Sequence, residues 1–269
     1  MAVLALLLAG CTSSEVDHYE DDRRFREFAI SALSVARPDY SFGPLPTSVR
    51  TADGVVVTLS ARPVGAESSE EIPVTVTFGQ GVTVDVSPLP ETRLGGVLKE
   101  FGTSNESDED VRDTQELLSE IGRGVGVVAV AELAEPMPEA KVLGEEEGLS
   151  QPEGVLLSSG GDRPLGNSLY CGHMCRRGSW QQSYTTTFQE WISTLRSQDR
   201  AVLQAFGLNL EHLRATSRQG RIHGLIYENY DARMMLEISK NPKVKALYVA
   251  DVNLRCASEA GGTCRPTGD

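Results

Sequence analysis

On either side of one glycine turn, every second residue of this chain is apolar. Val74, Val76 and Phe78 alternate with Thr75 and Thr77, and beyond Gly79-Gln80-Gly81, Val82, Val84 and Val86 alternate with Thr83 and Asp85. Successive side chains of a strand point to opposite faces, so this period of two predicts an antiparallel hairpin with one buried face. The Val and Thr stripes are then packing, not chemistry. A second hairpin signal, Asp53-Gly54, lies between Ser48–Thr51 and Val55–Ala61.

Helical spacing frames this β-rich stretch. Phe25, Phe28, Ala29, Ala32, Leu33 and Ala36 form one stripe of a 3.6-residue period, predicting a helix over 21–36 that ends at Arg37-Pro38. A second helix follows residues 103–110, a polar and acidic boundary. Ser107 and Asp110 approximate its capping box, and Val111, Leu117, Leu118 and Ile121 form its inward face. Val127–Leu133 reads as an apolar strand, Glu139–Glu147 as a short helix and Gly154–Leu157 as a strand. Thr187 and Glu190 make a second capping box, opening one long helix from Thr187 to Phe206. Asn209 caps a helix that runs to Gly220, Ile222–Glu228 is a strand, and Asp231 caps a helix that Asn241-Pro242 stops. Val244–Val252 closes the chain as a strand.

The expected class is α+β: an N-terminal helix plus antiparallel β hairpins, then half of a ferredoxin-like α/β sandwich. Strand, helix and strand from Arg221 to Val252 form one split βαβ half, with Val127–Leu133 and Thr187–Phe206 as candidates for the other. This segment is similar to the C-terminal half of subtilisin-type propeptide domains, in which an Asn-Pro-x-Val turn leads into the last strand, as Asn241-Pro242-Lys243-Val244 does here. The likeness concerns the fold, and fold does not carry function.

Composition narrows the partners. At 40% hydrophobic residues the chain can bury a real core, and a net charge of −13 argues against nucleic acid, whose phosphates demand clustered Lys and Arg. The apolar run Val3 to Leu8 ends in Leu8-Ala9-Gly10-Cys11 and is followed by polar Thr12-Ser13-Ser14-Glu15. This resembles the lipobox of bacterial lipoprotein signal peptides. The resemblance implies a signal peptide over 1–10, diacylation of Cys11 and attachment at the outer face of the cell membrane, with 11–20 as a lipidated tether. No Lys or Arg precedes Arg23, so the resemblance places the basic part of the signal upstream of Met1. Ala2 to Gly10 is too short to span a bilayer, which takes roughly 20 apolar residues.

With Cys11 lipidated, Cys171, Cys175, Cys256 and Cys264 remain. An even count outside the cytoplasm favours disulfides, with three possible connectivities. Local pairs, Cys171–Cys175 and Cys256–Cys264, are preferred over cross-links between the clusters; the second pair lies in a tail over 253–269. Cys171-Gly-His173-Met-Cys175 could also contribute to zinc, but the seven residues between Cys256 and Cys264 exceed the usual spacing, so no metal is expected. Cys-x-x-Cys is absent, which removes a thioredoxin-like role.

Acid–base chemistry has four histidines to draw on. His18 sits in the tether, His173 between cysteines, His212 on a helix beside Glu211, and His223 on a strand. Neither Gly-x-Ser-x-Gly nor His-Glu-x-x-His occurs, so no catalytic residue is assigned. The acidic runs Ser107–Asp110 and Glu145–Glu147 lack the spacing of a calcium loop, and the glycines of 122–126 and 160–161 lack a following Lys-Ser/Thr. Tyr170, Trp180 and Tyr184 gather near the first cysteine pair, where they suit either recognition or the cover of a disulfide. The resulting expectation is a lipid-anchored extracytoplasmic protein without cofactor. It binds an envelope protein, a peptide or a small ligand; the alternatives are an envelope hydrolase and a protease-inhibitor-like module.

Overall fold

The computed structural model describes residues 14–254 apart from 67–69, 80–82, 104–107, 122–124, 145–148, 150–151, 160–162 and 169–182; side chains are described from 22 to 253, 108 excepted. Its first sheet is an antiparallel meander of β1 (Tyr40–Phe42), β2 (Thr47–Thr51), β3 (Gly54–Pro63), β4 (Ile72–Gly79) and β5 (Val84–Val86). The predicted alternation sets its register. Val76 pairs with Val86 and Phe78 with Val84, while Val74, Val76 and Phe78 are buried and Thr75 is exposed. Strands β1 and β2 share one edge of β3, separated by Gly43-Pro44-Leu45-Pro46, whose prolines have no N–H to give a ladder. The second hairpin signal is offset by one residue. Thr51 pairs with Gly54, so Ala52 and Asp53 make the turn, and Gly54 (φ 150°) is already in the strand. A Cβ there would lie 2.0 Å from the Phe78 carbonyl oxygen.

The second sheet comprises β6 (Val125–Pro138), β7 (Gly154–Leu156), β8 (Gly166–Ser168), β9 (Arg221–Asp231) and β10 (Val244–Leu254), in the order β10-β6-β9-β7-β8. Every pairing in it is antiparallel. Strands β9 and β10 flank β6 and are joined by α8 (Ala232–Ser239), the split βαβ arrangement expected from Arg221–Val252. Asp231 caps α8 by accepting from the Arg233 amide, and Asn209 caps α7 (Leu210–Gln219) by accepting from the His212 amide; Gly220 closes α7 at φ 56°. These caps stand where the sequence places them.

Helix α1 (Ser14–Ala36) joins the two sheets. It begins at Ser14, so much of the stretch expected as a tether is helical, and it stops before Arg37-Pro38 as expected. Ile30 and Val35 are buried beside the predicted stripe, because the helix packs on β3 at one side and β8 at the other. Phe28 marks the junction. Its ring lies 6.3 Å from Phe78 of the first sheet, 6.5 Å from Trp191 and 6.0 Å from Phe206. Regions 21–102 and 111–252 therefore contribute to one continuous core.

Other expectations need correction. The single helix over Thr187–Phe206 is split into α5 (Tyr184–Thr194), a 3₁₀ turn (Ser197–Asp199) and α6 (Arg200–Ala205). Its N-cap is Ser183, which accepts from the Thr186 amide, and Asp199 accepts from the Arg196 amide at 2.7 Å, stabilising the break. These helices enter between β8 and β9, whereas the connection after β6 passes through α4 (Glu139–Val142), shorter than expected. In α3 (Asp108–Glu120), Leu118 is buried but Leu117 is 45% exposed. Helix α2 (Arg93–Glu100) has no counterpart in the sequence reading. Its Leu94 and Leu98, with Phe101, cover Val128, Val130, Leu156 and Ile226 on the sheet face opposite the main core. With both faces covered, β6 reads as a near-continuous apolar run.

Candidate functional site

Cys11, Cys171, Cys175, Cys256 and Cys264 lie outside the described residues, and so do His173, Tyr170 and Trp180. His18 falls within α1, but its side chain is not described. His212 is exposed on α7. His223 is half-buried on β9, where burial and then the neighbouring Arg221 charge lower its pKa. Among the described residues neither imidazole of this pair is hydrogen-bonded to a serine or a carboxylate, and no group of three metal-ligating side chains gathers. Tyr184 is buried in the core, its hydroxyl donating to the Pro152 carbonyl at 2.5 Å, so it serves packing instead of recognition. No described helix is long and apolar enough to cross a membrane.

The structure instead brings together residues that no motif marks. A cleft of ≈ 900 Å³ opens between the two sheets. One wall is the turn after β3, Pro63 to Ala66; another is the start of α2, Pro90 to Leu94; the floor is Val128 of β6 with Asp251 and Asn253 of β10. The lining of the cleft is at least as polar as apolar, so it is an open polar groove and not the apolar cavity in which small ligands usually sit.

Both walls are held by polar contacts. Glu228 accepts from Arg62 Nη1 at 3.0 Å and from the Gly65 amide at 3.1 Å, and Asn253 Nδ2 donates to the Gly65 carbonyl at 2.9 Å and to Asn229 Oδ1 at 3.2 Å. Gly65 takes φ 88°, and a Cβ on it would lie 2.4 Å from Val128 Cγ2. Only glycine seats the turn this closely on the sheet. Asn229, at φ 58°, adopts the left-handed conformation that Asn tolerates better than most residues.

The second wall hangs on Asp39, which is fully buried. Its carboxylate accepts from Arg37 Nε and Nη2, both at 2.9 Å, from Thr92 Oγ1 at 2.8 Å and from Arg163 Nη1 at 3.4 Å. Thr92 in turn caps α2, accepting from the Gly95 amide at 2.7 Å. The carboxylate thus supplies the negative charge a helix N-terminus favours. Burial opposes the Arg37 charge, but the hydrogen bond and charge of Asp39 outweigh it and leave the guanidinium pKa raised. Arg37 also donates to the Pro90 carbonyl and lies 4.8 Å from the Tyr40 ring centroid. Tyr40 donates to the same carbonyl at 3.0 Å, and burial raises its pKa so that the phenol keeps its proton.

Two further carboxylates, half-buried Glu139 and buried Glu132, are structural. Glu139 accepts from the amides of Tyr184 and Thr185 and from the hydroxyls of Ser183 and Thr185, anchoring the start of α5. Glu132 accepts from Lys245 Nζ and Tyr248 hydroxyl, both at 2.7 Å, tying β6 to β10. The partners of Asp39, Glu139, Glu132 and Glu228 are mostly distant in sequence, so no local spacing announces them. The one usable signal was the short peptide Arg37-Pro38-Asp39-Tyr40, three of whose residues meet at the cleft wall.

Comparison with known proteins finds no matching family model, no similar curated sequence and no similar solved structure. The site is therefore read from its own chemistry.

Proposed function

We propose that this chain is a lipid-anchored extracytoplasmic binding protein, attached through Cys11 to the outer face of the cell membrane and receiving its partner in the cleft between the sheets. The observation that carries this reading is the distance between lipobox and fold. Cys11 precedes the first residue of α1 by three positions, and that helix is built into the core from Phe28 to Val35. An acylated Cys11 would hold the domain, and its cleft, close to the bilayer. Lipid chains contribute about 0.8 kcal/mol per buried CH₂, and stable anchoring takes at least two of them; the net charge of −13 offers anionic lipid no general attraction. The cleft supports binding because its walls are fixed by Glu228, Asn253 and Asp39 before any partner arrives, which lowers the ordering cost of association.

Palmitate labelling of the wild type and of Cys11→Ala tests the anchor. The expected result is labelled protein in the membrane fraction and unlabelled, released protein for the variant; an unlabelled wild type sinks the reading. A photo-crosslinking residue at Val252, which is 42% exposed at the cleft lip, tests the site in intact cells. The expected result is one identified envelope component whose capture is lost when Val64→Arg blocks the cleft.

A further inference from the structure

We infer that the partner is a neutral, hydroxyl-rich oligosaccharide held in the groove by Asn229, Asn253, Asp251 and Glu70, an assignment resting on the binding reading above. The backbone is irregular at this one place on both flanks of β6. Val127 pairs with Tyr230 and Ala129 with Tyr227, so Glu228 and Asn229 together stand opposite Val128. On the other flank Ala129 pairs with Val249 and Val128 with Asp251, which leaves Ala250 as an extra residue. Such bulges re-aim side chains and gather beside functional sites. The first of them brings two consecutive residues of β9 to the groove side, since Glu228 bonds to the Gly65 amide and Asn229 to Asn253. Asn229 is also the only non-glycine among the described residues with a positive φ.

This geometry leaves hydrogen-bonding capacity in the groove. Asn253 spends both Nδ2 hydrogens, on the Gly65 carbonyl and on Asn229 Oδ1, so its own Oδ1 remains as an acceptor. Asn229 accepts through Oδ1, so its Nδ2 remains as a donor. Asp251 takes Arg93 and the Val252 amide on Oδ1, which leaves Oδ2. Exposed Glu70 lines the same groove. Among the described residues nothing bonds to Asn253 Oδ1, Asn229 Nδ2, Asp251 Oδ2 or the Glu70 carboxylate.

The ligand class follows from this set. Glu91 pairs with Arg163 at 2.8 Å and with Lys99 at 3.2 Å, and Asp251 pairs with Arg93, so of the lining carboxylates only Glu70 is uncompensated and an ionic ligand has little to neutralise. Acceptors outnumber donors, which suits a ligand carrying several donors on a compact frame. Each sugar hydroxyl donates one hydrogen bond and accepts others, whereas an extended peptide brings one N–H per residue and turns alternate ones away. Val64 and Val252 also line the groove and suit the C–H face of a pyranose ring. At ≈ 900 Å³ the groove lies near the upper end of ligand sites, about 1,000 Å³, so it takes an oligosaccharide and not a single ring.

Titration calorimetry on the full chain tests this with three neutral tetrasaccharides (cellotetraose, maltotetraose and the N-acetylglucosamine tetramer), with the cationic glucosamine and anionic galacturonic acid tetramers, and with a neutral glycine–serine peptide. At least one neutral tetrasaccharide is expected to bind, and the charged tetramers and the peptide to bind more weakly. Asn229→Gly keeps a residue suited to the left-handed backbone while removing the amide, and Glu70→Ala removes an exposed acceptor. Each is expected to weaken binding about tenfold, as the loss of one hydrogen bond would. Because Glu70 is exposed and holds no wall contact, its variant reports on binding even where Asn229→Gly loosens the wall. Undiminished binding by either variant, charged tetramers or peptide bound as tightly as the neutral sugars, or no tetrasaccharide bound at all overturns the inference. If no tetrasaccharide binds while the Val252 crosslink still captures a component, the ligand class is wrong and the binding reading stands.

Discussion

The Gly65 amide donates to Glu228 at 3.1 Å across the gap between the two sheets, and together with the Asn253 bond to the Gly65 carbonyl it holds one wall of the cleft against the second sheet. The donor is a residue that cannot carry a side chain, and the acceptor is a carboxylate already held by Arg62. Geometry at this point is set by contact with Val128, so it can be disturbed by one methyl group.

Gly65→Ala combines a left-handed φ with a 2.4 Å approach of the new Cβ to Val128 Cγ2. Such a change should cost about 2–3 kcal/mol of stability, read as a lowered denaturant midpoint. In a Val128→Ala background the collision is relieved and only the backbone strain remains, so the same substitution should cost visibly less there. Equal costs in both backgrounds would contradict the described seating of the turn.

Asp39→Asn should destabilise by about 3 kcal/mol, because it leaves the Arg37 and Arg163 guanidiniums facing a neutral group at a fully buried site. Thermal unfolding measures the loss, and amide exchange in α2 should rise with it, since Thr92 is oriented by the same carboxylate.

Tyr227→Phe is expected to act the other way. The Tyr227 hydroxyl is buried and finds no hydrogen-bond partner among the described residues. Removing it takes away a desolvation cost and leaves the ring contact with Tyr230, whose centroid lies 5.1 Å away. A gain of up to about 1 kcal/mol in urea unfolding is expected; a loss would mean that the hydroxyl is satisfied.

The pH dependence of stability should carry a signature of His223. Burial and Arg221 lower its folded-state pKa, so the unfolded chain takes up the proton first as pH falls. The stability it contributes is complete above the ordinary histidine pKa of about 6.5 and is lost as pH drops through the lowered folded value. Comparing wild type with His223→Gln between neutral and mildly acidic pH should show a shallower decline for the variant. Parallel declines would rule the contribution out.

Much of this architecture was legible in the sequence because local chemistry specifies it. The Val/Thr alternation set the β4–β5 register, and Asn209, Gly220 and Asp231 fixed helix ends through caps that act over a few residues. The helix from Thr187 was misread because its apolar stripe continues through a break made by Asp199, a tertiary and capping effect that periodicity does not report. Helix α2 was missed because eight residues containing two glycines carry too little pattern, although Thr92 is a strong cap. Leu117 and Leu118 are neighbours on one helix, and only the packing partner decides which of them turns inward. The cleft was invisible for a related reason. Its walls come from β3, α2 and β10, segments far apart along the chain, and none of its polar residues follows a catalytic or ligand-binding spacing.

The position of Phe28 has a consequence for any attempt to dissect the molecule. One ring touching Phe78, Trp191 and Phe206 leaves no seam along which the polypeptide could be cut into autonomous pieces. A truncated product starting at Pro38 would bare greasy surface on both sheets at once and should be recovered as insoluble material, while the intact chain should melt in a single step.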